Sequence, residues 1–430
     1  MKEYGRFLWR CFRVSFVGNR AYHSWMLLLT VLALIGLNAY AKQLVQGLAT
    51  TGMTDHVSWG LYISNFTFLV GMAAAAVMLV IPVYLYRNEE LHDLVIFGEL
   101  LAVAAIFMCL AFVVVDMGRP DRMHHMFMKF NFPMSMLTWD VIVLNVYLLL
   151  NMHICGYLVY CAYRQRKPGA LFYIPFVFVA IFWAVSIHTV TAFLYVGLGG
   201  RPFWNSAIIA PRFLASAFAA GPAFLIVTLS VLDKWTSYEV PRKAVMTLRN
   251  IITVALIINM FLLVCEVFTE FYTGSAHGAS ARYLFLGLHG YSGLVPWIWT
   301  AIGLNASALA ILCLPLSRRQ GWLNLACVSM IVGIWIEKGM GLIVPGFIPS
   351  PLGEIVEYTP TLNESLVSIG IWSFGLGLYT IFVRITIPVL SGQLTADRLY
   401  EFGAASSSSE NDASATGSSS RIAPLSREVS

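Results

Sequence analysis

The sequence predicts an all-α integral membrane protein with about ten transmembrane helices and no separate catalytic domain outside the bilayer. Of its 430 residues, 58% are hydrophobic and only 11% are charged, whereas a soluble domain has roughly 25% charged residues. The apolar residues form runs of about twenty or more, the length a helix needs to cross about 30 Å of hydrocarbon. A soluble fold has too little interior to bury this apolar surface.

Polar breaks divide the chain into ten expected spans, each with ends uncertain by several residues. The ranges are 22–46, 57–86, 91–116, 136–163, 171–199, 209–231, 246–272, 293–316, 321–348 and 364–390. The first apolar stretch lacks a small-residue cleavage site, so it is interpreted as a retained span and not as a signal peptide. Residues 1–21 form a basic N-terminus. Residues 391–430 become Ser-rich and predict a disordered tail.

Basic residues predict the orientation of the spans, because basic loops stay cytoplasmic. Eighteen Lys and Arg residues fall on the side of the termini. The other side has six: Arg119, Arg122, Lys129, Arg201, Arg212 and Arg282. We therefore expect a multi-pass protein of the cytoplasmic (inner) membrane with both termini cytoplasmic. The net charge of +5 is spread over short loops, so topology explains it better than a nucleic-acid partner.

Bound redox groups are not expected. The seven cysteines form no CxxC pair, whereas iron–sulfur and zinc sites usually cluster their cysteines. A haem b between two helices needs histidines at matching depth. His153 and His188 differ in predicted depth by about 9 Å at 1.5 Å per residue, which argues against haem.

Polar residues inside membrane spans need a partner or water, so they are the candidate functional residues. Most fall in the predicted outer half: Asn65, Asp116, Arg119, Arg122, His124, His125, Asp140, His188, Glu266, Glu270, Glu337 and Lys338. The predicted inner half holds Glu99, Asn151 and His153, which either continue a path inward or bond neighbouring helices.

Each candidate also has a purely structural interpretation. Arg119 and Arg122 either contact a ligand or clamp their loop by pairing with Asp116 and Asp121. His188 is more often a hydrogen-bonded core histidine than a site.

The predicted outer half also holds a pair of acids and a lysine. Glu266 and Glu270 are four residues apart and share a helix face, where repulsion raises one pKa as a proton relay requires. The alternative is a solvated rim at the helix end without a relay role. Lys338 is expected to pair with one of them, in either a packing or a proton-carrying role.

Two further segments lie on the predicted outer side. Residues 201–213 mix arginines, aromatics and prolines, which indicates a re-entrant or interfacial turn, and Gly221 with Pro222 predicts a kink in the sixth span. The loop 341–364 is interpreted as a docking surface, with a plug as the alternative.

Six segments together resemble the membrane subunits of the polysulfide reductase, or NrfD-like, superfamily. These are WGLYISNFTFLVG from Trp59, DMGRPDR from Asp116, SMLTWD from Ser135, SIHTVTAFLY from Ser186, GRPFWNSAIIAPRF from Gly200 and GIWIEKGMGLIVPGFIPSPLGEIVEYTP from Gly333. Within that superfamily the ten-span length and the last segment are similar to DsrP-type subunits of the DsrMKJOP complex associated with sulfite reduction, with HmcC-type subunits as close relatives. The resemblance covers about residues 20–390.

The resemblance implies two four-helix bundles, about 57–199 and 209–348, between a first and a last flanking helix. It also implies a quinone, expected to be menaquinone, as substrate, with no haem or iron–sulfur cluster in this chain. Electrons would pass between the quinone and a periplasmic ferredoxin-like iron–sulfur subunit that meets a multihaem cytochrome c. A membrane cytochrome b and cytoplasmic iron–sulfur subunits would complete a complex of dissimilatory sulfur metabolism.

The resemblance also assigns candidate residues. Its quinone region falls on Trp59, Asn65, Asp116, Arg119, His124, His125 and Asp140. In the family pattern an aromatic residue and then a histidine follow the RPDR string, whereas this sequence has Met123, His124 and His125. Which histidine is functional stays open, and His125 is favoured. We hypothesise that His125 contacts a quinone oxygen, that Asp140 handles the proton, and that Arg119 and Asp116 set the local field.

A second hypothesis is that protons cross part of the membrane during turnover. The residues proposed to carry them are Glu99, His188, Glu266, Glu270, Glu337 and Lys338.

Two rival functions remain open from the residues alone. A secondary transporter also has about ten spans, kinked helices and charges in the membrane. It would gather those charges at broken helices near the midplane, whereas here they crowd one face. A purely structural anchor for other subunits would leave the buried acids unexplained.

Overall fold

The computed structural model describes residues 2–73, 75–80, 83, 92–236, 238–274 and 278–398, and within this part of the chain the regular structure is helical. The first half contains α1 (Lys2–Ser15), α2 (Arg20–Gln46), α3 (Leu61–Ala73), α4 (Ala75–Val80), α5 (His92–Asp116), α6 (His125–Met128), α7 (Met136–Tyr163) and α8 (Ala170–Val196). The second half contains α9 (Ile209–Trp235), α10 (Arg242–Tyr272), α11 (Gly278–Phe285), α12 (Val295–Cys313), α13 (Gln320–Lys338) and α14 (Leu362–Leu390).

Nine helices of the described part are long and apolar enough to cross a membrane, which confirms an all-α, multi-pass membrane protein. They are α2, α5, α7, α8, α9, α10, α12, α13 and α14. The second predicted span begins in the shorter apolar helices α3 and α4. The rest of that span, residues 81–86 apart from Val83, lies outside the described residues. So do Arg87, which entered the charge count, and the Ser-rich tail after Arg398.

The end of one helix and the position of one arginine differ from the predictions in ways that matter for the site. α13 ends at Lys338, ten residues before the predicted end of the ninth span. Residues 340–348 are buried outside any long helix, with a short 3₁₀ turn at Val344–Phe347. This part of the loop therefore packs inside the protein, as the plug alternative expects, and is not an exposed docking surface. Arg212, which the charge count placed in a loop, lies in α9 and is only 6% exposed.

The helices form two groups of four, if α3 and α4 are counted together as one span. In the first bundle α3 and α4 pack against α5 and α8, α5 packs against α7, and α7 packs against α8. In the second bundle α9, α10, α12 and α13 form a closed ring of neighbours. The bundles meet where α9 packs against α3, α4 and α8 and where α13 packs against α3. This arrangement agrees with the predicted pair of bundles.

The first and last spanning helices form the flanking pair. α14 packs along α2 and against α5, α7 and α3. The two backbones almost touch at a pair of glycines: a Cβ added to Gly36 would lie 2.5 Å from Gly370 Cα. Small residues at such crossings let membrane helices approach closely.

The helices run between two ends of the molecule, called here the Arg10 end and the Asp116 end. At the Arg10 end, α1 packs against the end of α14, and Arg10 donates to the Tyr163 hydroxyl at 2.9 Å and to the Thr395 carbonyl at 2.7 Å. The opposite end, the Asp116 end, holds the ends of α2, α5 and α13 and the starts of α3, α7 and α14. Most of the predicted site residues lie toward this Asp116 end.

Candidate functional site

A cleft opens at the Asp116 end between the end of α2 and the loop that follows α5. Its volume is about 270 Å³, a little below the roughly 300–1,000 Å³ of typical ligand pockets. One wall comes from α2 and the residues after it, and the other comes from Met117–Asp121. The lining residues are Tyr40, Gln43, Leu44, Gly47, Leu48, Met117, Gly118, Arg119, Pro120 and Asp121.

Arg119 and Asp121 form the charged rim of this cleft. The guanidinium Nε and Nη2 each lie 3.0 Å from one carboxylate oxygen of Asp121. This bidentate pair holds the pKa of the Asp121 carboxyl below its ordinary value. Arg119 therefore clamps its own loop through Asp121 and not through Asp116, while it also lines the cleft.

A group of buried polar side chains adjoins the cleft, and Gln43 belongs to both. Gln43 donates to the Val115 carbonyl at 2.6 Å and accepts from the Tyr62 hydroxyl at 2.7 Å. Oδ1 of the neighbouring Asp116 is buried and has no hydrogen-bond partner. A buried polar atom without a partner is uncommon and is a candidate contact for a ligand or water.

Glu364 fixes the loops around this group. The carboxylate is fully buried and accepts from the Tyr358 hydroxyl at 2.5 Å and from the backbone N–H groups of Leu61 and Gly52 at 3.2 and 3.1 Å. Burial, and then the Glu364 charge, raise the pKa of Tyr358, so its hydroxyl remains a donor. Glu364 thereby joins the start of α14 to the start of α3.

Trp59 and Asn65 have structural partners. Trp59 stacks on Trp204 at a centroid distance of 5.7 Å and meets Tyr195 and Phe347 edge-on. The Oδ1 atom of Asn65 accepts hydrogen bonds from the indoles of α13 and α14, which belong to Trp335 at 3.0 Å and Trp372 at 2.8 Å. These two residues therefore join helices and loops at the Asp116 end and do not line the cleft.

His124, His125 and Asp140 lie in different surroundings. Both histidines are exposed and their rings are 4.4 Å apart. Asp140 is 2% exposed and accepts from the Thr191 hydroxyl at 2.6 Å. The described side chains of His125 and Asp140 share no hydrogen bond or ion pair. The structure therefore does not bring these hypothesised partners together.

The second bundle is tied together around Glu337. Its carboxylate accepts hydrogen bonds from Arg212 of α9 at 2.8 Å, from Asn259 of α10 at 3.2 Å and from Asn305 of α12 at 2.9 Å. Arg212 also pairs with Glu266 of α10. Every helix of this bundle thus contributes a polar side chain to one buried cluster.

The cluster corrects the predicted pairing of Lys338. Arg212, and not Lys338, is the partner of Glu266. The ammonium of Lys338 lies 4.3 Å from the centre of the Phe213 ring instead. Glu270 is buried one turn beyond Glu266 near the end of α10.

The remaining proton-path candidates lie within the first bundle. Glu99 of α5 is 1% exposed, and its Oε2 has no hydrogen-bond partner. His188 of α8 is also 1% exposed and bonds the Ala184 carbonyl through Nδ1 at 2.6 Å. The contacts do not join the six proposed residues into one continuous chain.

Several polar residues of the site were missed from the sequence. They are Tyr40, Gln43, Arg212, Asn259, Asn305, Tyr358 and Glu364. A signal was present on α10, because Asn259 and Glu266 are seven residues apart and share a face.

The fold and the site together define a class of protein. It is a multi-pass helical membrane protein with a cleft at one end and a buried charged cluster. The chain matches the family described as "Polysulphide reductase, NrfD" over residues 49–348, more than half of its length. It therefore belongs to that family.

Curated relatives extend the similarity over most of the chain. A dimethyl sulfoxide reductase membrane subunit of Halobacterium salinarum is 27% identical over 82% of this chain and 88% of its own. The Hdr-like menaquinol oxidoreductase integral membrane subunit of Archaeoglobus fulgidus is 21% identical, covering 84% and 91%. A selenate reductase subunit of Mesobacillus selenatarsenatis is 23% identical, covering 85% and 94%. This chain is thus similar to subunits of reductase and oxidoreductase complexes.

Proposed function

We propose that this chain exchanges electrons between a quinone, with menaquinone as the expected type, and a partner subunit of a respiratory complex. The quinone is its substrate, and the partner is expected to be a periplasmic ferredoxin-like iron–sulfur subunit. The cleft beside Asp116 carries the proposal. The similarity to a menaquinol oxidoreductase membrane subunit supports the quinone, and the names of all three relatives support assembly with other subunits.

The cleft has the chemistry that a quinone ring requires. Leu44, Leu48 and Met117 offer apolar surface to the ring and the start of its tail. The Tyr40 hydroxyl and the Arg119 guanidinium are hydrogen-bond donors on opposite walls, suited to quinone carbonyl oxygens. Because the cleft lies where helices end, a quinone can enter it from the bilayer with its tail still in lipid.

Quinol oxidation releases protons as well as electrons, so the site needs a base. We favour Asp116, because its Oδ1 is buried without a partner next to a residue of the cleft wall. In the alternative assignment His125 contacts a quinone oxygen and Asp140 is the base. It is less favoured, because His125 is exposed while Asp140 is buried against Thr191.

The test compares single-residue variants of the purified native complex. Asp116→Asn keeps the shape of the side chain but removes the base, and we expect a loss of quinol oxidation of about 10²-fold or more with quinone still bound. Asp55→Asn, in an exposed loop at the same end, is the control and should keep the wild-type rate. Wild-type oxidation by Asp116→Asn would refute the assignment.

The alternative site is tested in the same assay. We expect the His125→Ala and Asp140→Asn complexes to retain quinol oxidation with wild-type quinone binding. Loss of oxidation in both, with Asp116→Asn active, would move the site to that pair. A wild-type complex without bound menaquinone or an iron–sulfur partner would argue against the function itself and favour a transporter or anchor.

The orientation with cytoplasmic termini, and the place in dissimilatory sulfur metabolism with a multihaem cytochrome c, belong to this proposal. Orientation is testable with Asp55→Cys and Gln165→Cys, which lie in exposed loops at opposite ends. A membrane-impermeant maleimide added to cells with a permeabilised outer boundary should label the first and not the second. The reverse pattern would invert the topology.

A further inference from the structure

A small cavity lies where the two bundles meet. Its walls come from α3 and α8 of the first bundle and from α9 and α13 of the second. The volume is about 10 Å³, close to the roughly 10–15 Å³ that one buried water molecule needs. The polar side chains on the walls are Thr67, His188, Ser216 and Lys338.

His188 presents an acceptor on the first-bundle side. Its Nδ1 lies 2.6 Å from the Ala184 carbonyl oxygen, and only a protonated Nδ1 can form that bond. In the neutral ring Nε2 is therefore a lone-pair acceptor. Nε2 is buried and makes no hydrogen bond of normal geometry. His188 lines the cavity, and the Gly71 carbonyl also lies near the ring.

Lys338 presents donors on the second-bundle side. The residue is 4% exposed, and its ammonium carries three N–H groups. The described carboxylates nearest in sequence and along the bundle, Glu337 and Glu266, are both paired with Arg212. Among the described residues Lys338 has the Phe213 ring as its cation–π partner and no ion pair.

We propose that one water molecule occupies this cavity, accepts a hydrogen bond from Lys338 Nζ and donates one to His188 Nε2. Thr67 and Ser216 lie on the same walls, but the Thr67 hydroxyl already bonds the Ile63 carbonyl and the Tyr195 hydroxyl. Ser216 already donates to the Phe213 carbonyl at 2.9 Å, so its oxygen is available as an acceptor. The water thus has the two to four polar partners that buried waters usually have.

This water passes a proton between the bundles. A proton leaves Lys338 Nζ for the water oxygen while one of the water's protons moves to His188 Nε2. The products are a neutral amine, an imidazolium and an unchanged water, so no further reactant is needed. The physiological role rests on the proposed function, because quinol oxidation would drive the proton movement.

The position of the cavity determines which groups the bridging water lies between. On the α8 side His188 shares a helix face with Thr191, the hydrogen-bond partner of Asp140. On the α13 side Lys338 follows Glu337 of the charged cluster directly. The water would therefore lie between the bundle that holds the buried Asp140 and the bundle that holds the Glu337 cluster.

Gly71→Ala tests the bridge without removing any polar group. Gly71 lines the cavity, and a Cβ added there would lie 3.6 Å from Ala217 Cα and 3.7 Å from Ala217 Cβ, which is ordinary contact. The added methyl group occupies the space of the water. Gly156→Ala is the matched control, because it adds a methyl in the spanning helix α7 with nothing within 4 Å.

Two measurements on the purified complex are compared. Electron cryo-microscopy at a resolution that shows buried waters should reveal one between Nζ and Nε2 in the wild type and in Gly156→Ala, and none in Gly71→Ala. In proteoliposomes, the proton uptake that accompanies electron transfer should be abolished in Gly71→Ala alone, while thermal unfolding shows that this variant is folded.

The outcomes separate this inference from the proposed function. No density between the two atoms in the wild type, or unchanged proton uptake in Gly71→Ala, would overturn the bridge. A wild-type complex that oxidises quinol without moving protons would also overturn it. A wild type that oxidises no quinol would contradict the proposed function, and the density measurement would still test the water.

Discussion

Glu337 illustrates how a single ionised residue can be accommodated inside a membrane helix. Two carboxylate oxygens receive hydrogen bonds from three neighbouring helices, and Arg212 supplies the opposite charge. An unpaired charge in hydrocarbon costs several kcal/mol, so the partners must be present together. Arg212 is the shared member, because it also pairs with Glu266.

We predict that Arg212→Met strongly destabilises the protein. It leaves two buried carboxylates without their common counter-charge, a change that typically costs about 3–5 kcal/mol. Thermal unfolding in detergent should show a large fall in midpoint. Arg282→Met, at an exposed position, is the control and should change stability by less than about 0.5 kcal/mol.

A double variant checks the cause of that effect. Arg212→Met with Glu266→Gln removes one of the two unpaired charges, so it should recover part of the lost midpoint. If the double variant is as unstable as the single one, charge burial is not the reason.

Single residues also show what the sequence can and cannot predict. Depth along a helix follows from position in an apolar run, so the concentration of polar residues toward the Asp116 end was predictable. Which side chains meet depends on the rotation of each helix about its axis, and the local sequence does not determine that rotation. Lys338 was therefore expected to pair with Glu266 or Glu270, although the α9 helix turns Arg212 toward Glu266.

At the scale of helices, hydropathy predicted most bounds because a spanning helix must be apolar along its whole length. Hydropathy predicted the wrong end for α13, because residues 340–348 are apolar without being helical. They are buried as a plug, and Trp204 donates to the Leu342 carbonyl there at 2.8 Å. Glycines at positions 339 and 341 and Pro345 end the helix, but hydropathy alone does not register them.

The crossing of α2 and α14 leaves no room for a side chain between the two backbones. We predict that Gly36→Ala lowers the thermal midpoint, because its Cβ would lie 2.5 Å from Gly370 Cα. Backbone atoms cannot rotate away as a side chain can, so the two helices must separate. The loss of packing affects α14 and its contacts with the first bundle.

Gly377→Ala is the matched control for this crossing. It lies two turns further along α14, and its Cβ would meet only Leu29 Cδ1 at 3.9 Å. We expect it to be neutral or slightly stabilising, because alanine is favoured over glycine in a helix by about 1 kcal/mol. Equal midpoints for the two variants would show that the crossing tolerates a wider spacing.

At the scale of the whole molecule, the two bundles and the flanking pair converge on Asn65. This side chain of α3 accepts from Trp335 of the second bundle and from Trp372 of α14, and it donates to the Leu61 carbonyl of its own helix at 2.8 Å. The division into two bundles and two flanking helices followed from the family resemblance. Asn65, which joins all three groups, was instead predicted to contact the quinone. A polar residue in a span indicates that a partner is present, but not whether that partner is a ligand or another side chain.

We predict that Asn65→Leu weakens the association of the three helical groups. The substitution leaves two partly buried indole N–H groups without an acceptor, and each such loss costs about 1–3 kcal/mol. Asn145→Leu on α7 is the control, because Asn145 donates only to the Val141 carbonyl one turn earlier in its own helix and should lose little. Thermal unfolding in detergent, followed by hydrogen exchange of α13 and α14, should show a lower midpoint and faster exchange in Asn65→Leu. If both leucine variants behave alike, the indole hydrogen bonds do not hold the groups together, and packing alone sets their arrangement.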